Sequence, residues 1–185
     1  MMRELDRRLA DPNVILKLDM EKAYDRVDWS FLLFMLRQFG FEEGVVDLLF
    51  RTFSNSWFSV LVNGELSGLF KSSQGVRQGD PLSPALFLFV AEFLDRVIQQ
   101  LFEAKKSRYF ATAEPNVPYL AFADDTIIFT RCSHDTLAAV QDLLRLYQAY
   151  SGQVVNISKS SVASSSRLLE SHRGIIRAIL GFKEQ

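Results

Sequence analysis

Residues 119–129 read YLAFADDTIIF, a run in which two adjacent aspartates interrupt apolar residues. Because apolar residues occupy both alternating sets of positions, the run predicts a strand that is buried on both faces. Two carboxylates in such a place repel each other and lose hydration, which costs several kcal/mol. A divalent cation would offset that cost, since hard cations such as Mg²⁺ prefer carboxylate oxygens. Asp124 and Asp125 are therefore candidate metal ligands, and a hairpin turn, where Asp is common, is the alternative explanation of the pair.

The composition limits the classes of protein to consider. The 185 residues, 16 of them Phe, suffice for one domain with a sizeable core or for part of a larger one. A formal net charge of −1 lacks the basic excess typical of nucleic-acid-binding proteins, so neighbouring segments would have to supply the phosphate contacts of such a protein. The single cysteine, Cys132, excludes an internal disulfide, and we expect it to be a small buried residue.

No targeting or membrane segment is visible. The start of the sequence lacks a signal-peptide pattern, and the most apolar stretch, residues 84–94, is short and interrupted by Glu92. We therefore expect a soluble, intracellular protein without membrane contact. The choice between nucleus and cytoplasm stays open, because no basic import run is visible.

The first half of the chain predicts a strand, two helices and a hairpin. Residues 14–19 form a strand-like run that ends in an acid, and Asp28 is placed to cap a helix with a 3.6-residue apolar period over residues 29–40. A second short helix is expected over residues 44–53. Residues 58–64 alternate and end in Asn-Gly, which predicts a two-residue hairpin turn.

The second half predicts a loop, a long helix and a further strand–helix–strand series. Ser83 is expected to cap a central, buried helix that has Pro84 at its first position and runs to about Leu101. After this helix we expect a surface excursion over residues 105–118 and then the Asp-Asp hairpin. An amphipathic helix ended by Ser151-Gly152 and a last strand over residues 154–158 should follow. A break at residues 164–166 then precedes a terminal helix over residues 175–180. This order of elements indicates an α+β fold with a mainly antiparallel sheet backed by helices.

Five motifs occur in the order that they have in one known family. They read LKLDMEKAYDRVDW, SVLVNG, QGVRQGDPLSP, YLAFADDTIIF and SGQVVNISKS. With them the chain resembles the palm of a reverse transcriptase of the non-LTR retrotransposon (LINE) type, most of all those of plants. The resemblance covers residues 13–163 and implies a polymerase palm with a ferredoxin-like or RRM-like core and truncated fingers and thumb. Residues 1–12 would then be the remnant of a preceding helix, and residues 164–185 the start of the connection to the thumb.

The resemblance implies a set of catalytic acids. Asp19, Asp124 and Asp125 would hold two Mg²⁺ ions, for which Mn²⁺ can substitute, and the backbone carbonyl of Met20 is a further ligand candidate. Asp19 and Asp124 are expected to contact the metals most directly. Asp125 is expected to point differently and to play a supporting role.

The resemblance also implies substrate-binding residues. Tyr24 matches the aromatic residue that excludes a 2′-hydroxyl and so selects deoxynucleotides; an ordinary core tyrosine is the alternative. Gln78 and Gly79 match the loop that lies against the incoming nucleotide and the template, although a tight turn without a ligand would look the same. Arg77 is a candidate contact to template or triphosphate, or simply an exposed arginine.

Three further residues complete the implied site. Phe122 and Ala123 precede the aspartates and are expected to contact substrate. Lys159 matches a lysine that donates a proton to the leaving pyrophosphate or stabilises its charge; the alternative is a surface lysine.

The implied activity is that of an RNA-directed DNA polymerase, which copies an RNA template by adding dNTPs to a DNA primer. In the full-length protein, fingers, thumb and endonuclease segments would complete it. One alternative is a catalytically silent fragment of a degenerate retrotransposon that binds metal or nucleic acid weakly. Another is an RNA-directed RNA polymerase, against which Tyr24 argues, and a group II intron maturase is a nearer relative that only flanking domains would distinguish.

Overall fold

The computed structural model describes residues 5–104, 110, 117–122 (for Phe122 the backbone alone) and 125–184. The excursion expected over residues 105–118 falls largely outside the described residues, as do Ala123 and Asp124. The described elements form an α+β fold in which one sheet is backed by helices.

Seven strands are described, in a five-stranded sheet and a separate hairpin. The strands are β1 (Asn13–Asp19), β2 (Trp57–Val62), β3 (Glu65–Lys71), β4 (Tyr119–Phe122), β5 (Asp125–Arg131), β6 (Ser161–Ser164) and β7 (Lys183–Glu184). The larger sheet has the order β4-β5-β1-β6-β7, and β2 pairs only with β3. All pairings are antiparallel except that of β6 with β7, which confirms the mainly antiparallel sheet.

Five helices are described: α1 (Trp29–Gln38), α2 (Glu43–Ser54), α3 (Ser83–Glu103), α4 (His134–Ser151) and α5 (Glu170–Ile179). Among the described residues, no helix has both the length and the hydropathy that crossing a membrane requires. α3 contacts α1 and α4, which confirms its central position. Its burial is only partial, however, because Leu88 is 62% exposed on the side that no neighbouring helix covers.

The central strand β1 packs one face on the helices, and on its other face Ile15 joins a small cluster of Leu5, Phe110 and Phe129. Val14, Leu16 and Leu18 are fully buried and belong to the main core with the helices. The alternating residues Lys17 and Asp19 lie on the other face of the sheet, because successive side chains of a strand point to opposite faces. The acid at the end of β1 is therefore presented on the side that the helices leave uncovered.

The interpretation of residues 119–129 as a single strand is wrong, although β5 is buried on both faces: Ile128 (1% exposed) packs in the main core and Phe129 (3% exposed) in a second cluster with Leu5 and Phe110. The run forms two strands, β4 and β5, in which Phe122 pairs with Asp125, so that the alternative, a hairpin, is confirmed. Leu120 is 52% exposed because β4 is the edge strand and the helices cover only one face of the sheet.

The prediction of a last strand over residues 154–158 is wrong. Residues 154–158 make only an isolated bridge, between Met20 and Val155, and the strand that pairs with β1 on the edge away from β5 is β6. The reason is local, because the side chain of Asn156 accepts hydrogen bonds from the backbone N–H groups of Ser158 and Lys159 and so stabilises a turn. The short strand β7 was not predicted.

The beginning of α3 also differs from the expectation. The helix begins at Ser83 itself, and Leu82 occupies the capping position. The Asp80 carboxylate accepts a hydrogen bond from the Leu82 N–H at 2.8 Å, so the acid two residues earlier stabilises this end in place of the expected serine.

Several local predictions are confirmed. The Asp28 carboxylate accepts from the Phe31 N–H at 2.8 Å and caps α1. Asn63 and Gly64 have φ values of +51° and +87°, as a two-residue hairpin turn requires. Cys132 is fully buried, and this burial raises the pKa of its thiol to about 11, which marks a packing residue rather than a nucleophile.

Gly152 ends α4 where the chain must pass close to the segment that connects β1 with α1 (residues 20–28, the β1–α1 loop). Its φ is +74°, and a Cβ atom there would lie 2.5 Å from the carbonyl oxygen of Arg26. The adjacent Ser151 carbonyl accepts from the Asp28 N–H at 2.9 Å. Gly152 thus permits the contact that fixes the end of the β1–α1 loop.

We expect Gly152→Ala to lower the free energy of unfolding by at least about 3 kcal/mol, because it adds a backbone clash to the strain of a positive φ. Gly40→Ala is the matched control, since Gly40 follows α1 with a φ of +85° and has open space around the added atom. The control should cost only about 1 kcal/mol. Urea denaturation measures both, and equal losses would contradict the role assigned to the close approach.

Candidate active site

A cleft of about 490 Å³ opens at the end of β1. Its lining comes from four parts of the chain: Asp19 at the end of β1, Met20, Lys22, Ala23 and Tyr24 in the β1–α1 loop, Gln78, Gly79, Ser83 and Pro84 before and at the start of α3, and Lys159 before β6. Six residues that the sequence singled out meet here: Asp19, Met20, Tyr24, Gln78, Gly79 and Lys159. The cleft therefore gathers residues that are up to 140 positions apart in the sequence.

Asp19 and Asp125 face each other across two paired strands. They are direct partners in the register of β1 and β5, which places both carboxylates on the same, open face of the sheet. Asp125 is half-exposed and does not line the cleft itself, and its Oδ1 lies 3.6 Å from Nζ of Lys17. Asp124 lies outside the described residues, so the division of roles between the two neighbouring acids stays a prediction.

The two described carboxylates suit a hard divalent cation, because they converge from adjacent strands onto one solvent-accessible face. Within the described residues, no group of three or more His, Cys, Asp or Glu side chains could hold a metal ion. A third ligand from protein could then be a backbone carbonyl, an amide or hydroxyl oxygen, or a residue outside the described part of the chain.

A turn over residues 156–160 holds the backbone of Asp19 from both sides. The Asn156 N–H donates to the Asp19 carbonyl at 2.8 Å, and the Asp19 N–H donates to Oγ of Ser160 at 3.1 Å. Lys159 lies between these two contacts, so its position beside the acid follows from the turn. Sequence reasoning did not assign Asn156 or Ser160, although Asn is a common turn residue because its side chain can accept a hydrogen bond from the backbone N–H two residues later.

Tyr24 belongs to both the core and the cleft. Its half-buried ring stacks on Phe87 of α3 with the centroids 4.8 Å apart and 19° between the planes. The stacking fixes the orientation of the ring, while the residue also lines the cleft. A ring held in this way can limit the size of whatever lies above it.

The loop that contains Gln78 and Gly79 packs on the β1–α1 loop through its backbone. The Val76 N–H donates to the Tyr24 carbonyl, and the Gly75 N–H donates to the Val27 carbonyl, each at 2.8 Å. A Cβ atom at Gly75 would lie 2.6 Å from the Asp25 carbonyl oxygen, so this contact also requires glycine. Beyond Gly79 there is open space, which leaves its backbone accessible from the cleft.

Not every expected site residue is brought into the cleft. Arg77 lines a neighbouring cavity of about 540 Å³, on the far side of Gln78, where Phe58 and Phe70 are also found. For Phe122 only the backbone is described, and it pairs with Asp125. The sequence analysis does not single out two cleft residues, Lys22 and Ala23. Lys22 adopts a φ of +49°, for which the sequence gives no local signal.

Comparison with known proteins identifies the family. The family described as "Reverse transcriptase (RNA-dependent DNA polymerase)" matches residues 2–174. The chain belongs to this reverse transcriptase family. The resemblance that the five motifs indicated is thereby confirmed.

The relatives of this reverse transcriptase domain include retrotransposon proteins. This chain is 32% identical over 114 residues to the Retrovirus-related Pol polyprotein from type-1 retrotransposable element R2 of Popillia japonica. The match covers 62% of this chain and 18% of that protein. This chain is also 31% identical over 157 residues to the Transposon TX1 uncharacterized 149 kDa protein of Xenopus laevis. That match covers 84% of this chain and 12% of the relative. The chain thus spans less than a fifth of the length of either relative.

Solved structures support the same fold. Telomerase from Candida albicans, determined with a fragment of telomeric RNA, matches with a TM-score of 0.65 at 18% identity and covers 85% of this chain and 27% of the telomerase chain. At this identity the likeness concerns the fold, and it confirms the palm architecture expected from the sequence.

We expect Ser160→Ala to speed hydrogen exchange of the Asp19 amide and to lower the free energy of unfolding by about 1–2 kcal/mol, because it leaves that part-buried N–H without its acceptor. The control is Ser158→Ala in the same turn, where the exposed hydroxyl contacts only Asn156. Exchange followed by NMR tests this expectation. An Asp19 amide that exchanges at the same rate in Ser160→Ala and the original protein would contradict it.

Proposed function

We propose that this chain is the palm of an RNA-directed DNA polymerase that adds dNTPs to the 3′-hydroxyl of a DNA primer on an RNA template. The observation that carries the proposal is the convergence of Asp19, Tyr24 and Lys159 with the Gln78–Gly79 loop in one cleft. The direct pairing of Asp19 with Asp125 supports it, because nucleotidyl transfer needs carboxylates from more than one strand at the reacting centre.

Two Mg²⁺ ions, for which Mn²⁺ can substitute, are the proposed cofactors. Asp19, Asp125, Asp124 and the Met20 carbonyl would hold them, and the pairing of the two described acids on an accessible face fits this role. When bound, such ions lower the pKa of the primer hydroxyl and neutralise charge on the triphosphate. The contribution of the chain is the fixed position of the carboxylates, which follows from the β1–β5 register and from the two hydrogen bonds to the Asp19 backbone.

The remaining cleft residues orient the nucleotide. The Tyr24 ring, fixed by stacking on Phe87, would lie under the sugar and leave no space for a 2′-hydroxyl. The accessible backbone at Gly79 and the Gln78 side chain would contact the nucleotide and the template. Lys159 would donate its proton to the leaving pyrophosphate. Arg77 and the Phe122–Ala123 segment would serve as more peripheral substrate contacts.

The proposed partners beyond RNA template, DNA primer and dNTPs are the fingers, thumb and endonuclease segments of a longer protein. Two observations favour this arrangement: the chain spans less than a fifth of its retrotransposon relatives, and its net charge of −1 provides little attraction for a duplex. We propose that basic residues of those segments bind the phosphates of the primer and template.

We expect purified protein with poly(rA), an oligo(dT) primer, dTTP and Mg²⁺ to extend the primer, and EDTA to abolish the reaction. Asp19→Asn and Asp124→Asn should each lower the rate more than about 100-fold, because a neutral amide is a weaker ligand for a hard cation than a carboxylate. Asp125→Asn should lower the rate less, as its supporting role implies. Asp135→Asn, which removes a fully exposed carboxylate at the start of α4, is the control and should leave the rate unchanged.

Two outcomes would overturn parts of this proposal. Primer extension that persists in Asp19→Asn would contradict the assignment of Asp19 as a metal ligand. Folded protein that extends no primer with either Mg²⁺ or Mn²⁺ would favour the catalytically silent alternative for this chain.

We expect Tyr24→Ala to admit ribonucleotides, because it removes the ring that would contact the 2′-hydroxyl. On poly(rC) with an oligo(dG) primer, the preference for dGTP over GTP should fall about tenfold or more. Tyr150→Ala, at an exposed tyrosine on α4, is the control. Unchanged discrimination in Tyr24→Ala would assign this tyrosine to the core alone.

A further inference from the structure

We propose that Lys22 is a phosphate-binding residue of the cleft and contacts the triphosphate of the incoming nucleotide together with Lys159. The inference rests on the proposed polymerase function and assigns a ligand group to a residue that the sequence motifs left without a role.

The first observation is the charge of Lys22 in its surroundings. Lys22 is exposed and lines the cleft with Asp19 and Lys159. Its neighbours are neutralised locally, since Glu21 pairs with Arg26 at 3.2 Å and Lys17 lies 3.6 Å from Asp125. Within the described part of the chain, neither Lys22 nor Lys159 forms an ion pair. The cleft therefore holds two lysines whose charges are available to a ligand.

The second observation is the backbone of Lys22. Lys22 and Asn63 are the described non-glycine residues with a positive φ, at +49° and +51°. Asn tolerates this conformation, whereas an ordinary side chain there costs about 1–2 kcal/mol. The Lys22 carbonyl accepts from the N–H groups of Asp25 at 2.9 Å and Arg26 at 3.1 Å, so the surrounding loop imposes the conformation. Glycine or asparagine would fit this backbone better than lysine does.

The backbone conformation therefore does not favour a lysine at this position, and the place of the side chain in the cleft lining offers a functional reason for it. The anchors on either side of Lys22 fix where that side chain starts. The Glu21 N–H donates to the Val154 carbonyl at 2.8 Å, and Nε2 of Gln153 donates to the Ala23 carbonyl at 2.8 Å. A strained residue held on both sides at a cleft is typical of a binding position.

The third observation is the charge of the cleft lining. Besides uncharged residues, the lining holds the acid Asp19, the two lysines and the first residues of α3, Ser83 and Pro84. The N-terminal end of a helix carries a partial positive charge that adds to that of the lysines. A polyphosphate that also binds divalent cations suits this arrangement, because its oxygens pair with the lysines while the cations pair with Asp19. The volume of about 490 Å³ is sufficient for a nucleotide.

The test uses inorganic tripolyphosphate with MgCl₂ and isothermal titration calorimetry on the whole chain. Lys22→Asn removes the cation but tolerates the positive φ, so we expect binding to weaken about tenfold or more while the free energy of unfolding stays equal or rises. Lys22→Arg keeps the charge and should bind within about threefold of the original protein. Lys183→Asn, at an exposed lysine on β7 at the far edge of the sheet, is the control for loss of one positive charge and should not change binding.

In primer extension, Lys22→Asn should raise the KM for dTTP about tenfold with a smaller change in kcat. Tripolyphosphate binding that is equal in Lys22→Asn and the original protein, or absent from the folded original protein, would overturn the inference. These outcomes are separable from failure of the proposed function. If the protein extends no primer but binds tripolyphosphate through Lys22, the phosphate site is supported and the polymerase activity is not. If it extends primers and Lys22→Asn leaves the KM unchanged, the polymerase activity is supported and the role of Lys22 is not.

Discussion

The site depends on the way in which the β1–α1 loop is held by backbone contacts from two distant segments. The Tyr24 and Val27 carbonyls accept from the loop before α3, and the Asp28 N–H donates to the carbonyl of Ser151 at the end of α4. Both approaches are so close that a Cβ atom on Gly75 or Gly152 would lie within 2.6 Å of a carbonyl oxygen. Because backbone cannot be displaced as a flexible side chain can, these contacts fix the distance between the cleft walls.

The functional groups of the cleft lie in this loop or next to it. Asp19 precedes it at the end of β1, where the register with β5 brings Asp125 opposite and the turn before β6 binds its backbone. Lys22 and Tyr24 lie within the loop. The backbone of Lys22 has a positive φ that the loop imposes, and the ring of Tyr24 is oriented by stacking on Phe87. A net charge of −1 thus conceals a cleft in which Asp19 lies with two lysines that form no ion pair with the described residues. This local pattern matters more for phosphate chemistry than the overall charge does.

The features that the sequence predicted correctly are those decided by neighbouring residues. Asp28 caps α1 because its carboxylate reaches an N–H three positions later, and Asn63-Gly64 forms a hairpin turn because both residues accept a positive φ. The errors have two kinds of cause. Residues 154–158 are apolar enough for a strand, but the Asn156 side chain stabilises a turn there. The exposure of Leu120 depends on distant partners, because it follows from the place of β4 at the edge of the sheet.

The sequence by itself determined the α+β class, the family and most of the residues that line the cleft, because ordered motifs and local periodicity are written in consecutive residues. Only the tertiary structure decided that Asp125 faces Asp19, that Arg77 lies outside the cleft, and that Asn156, Ser160 and Lys22 lie in the neighbourhood of Asp19. Such relations depend on strand register and on contacts between segments more than 100 residues apart, which no local pattern in the chain encodes.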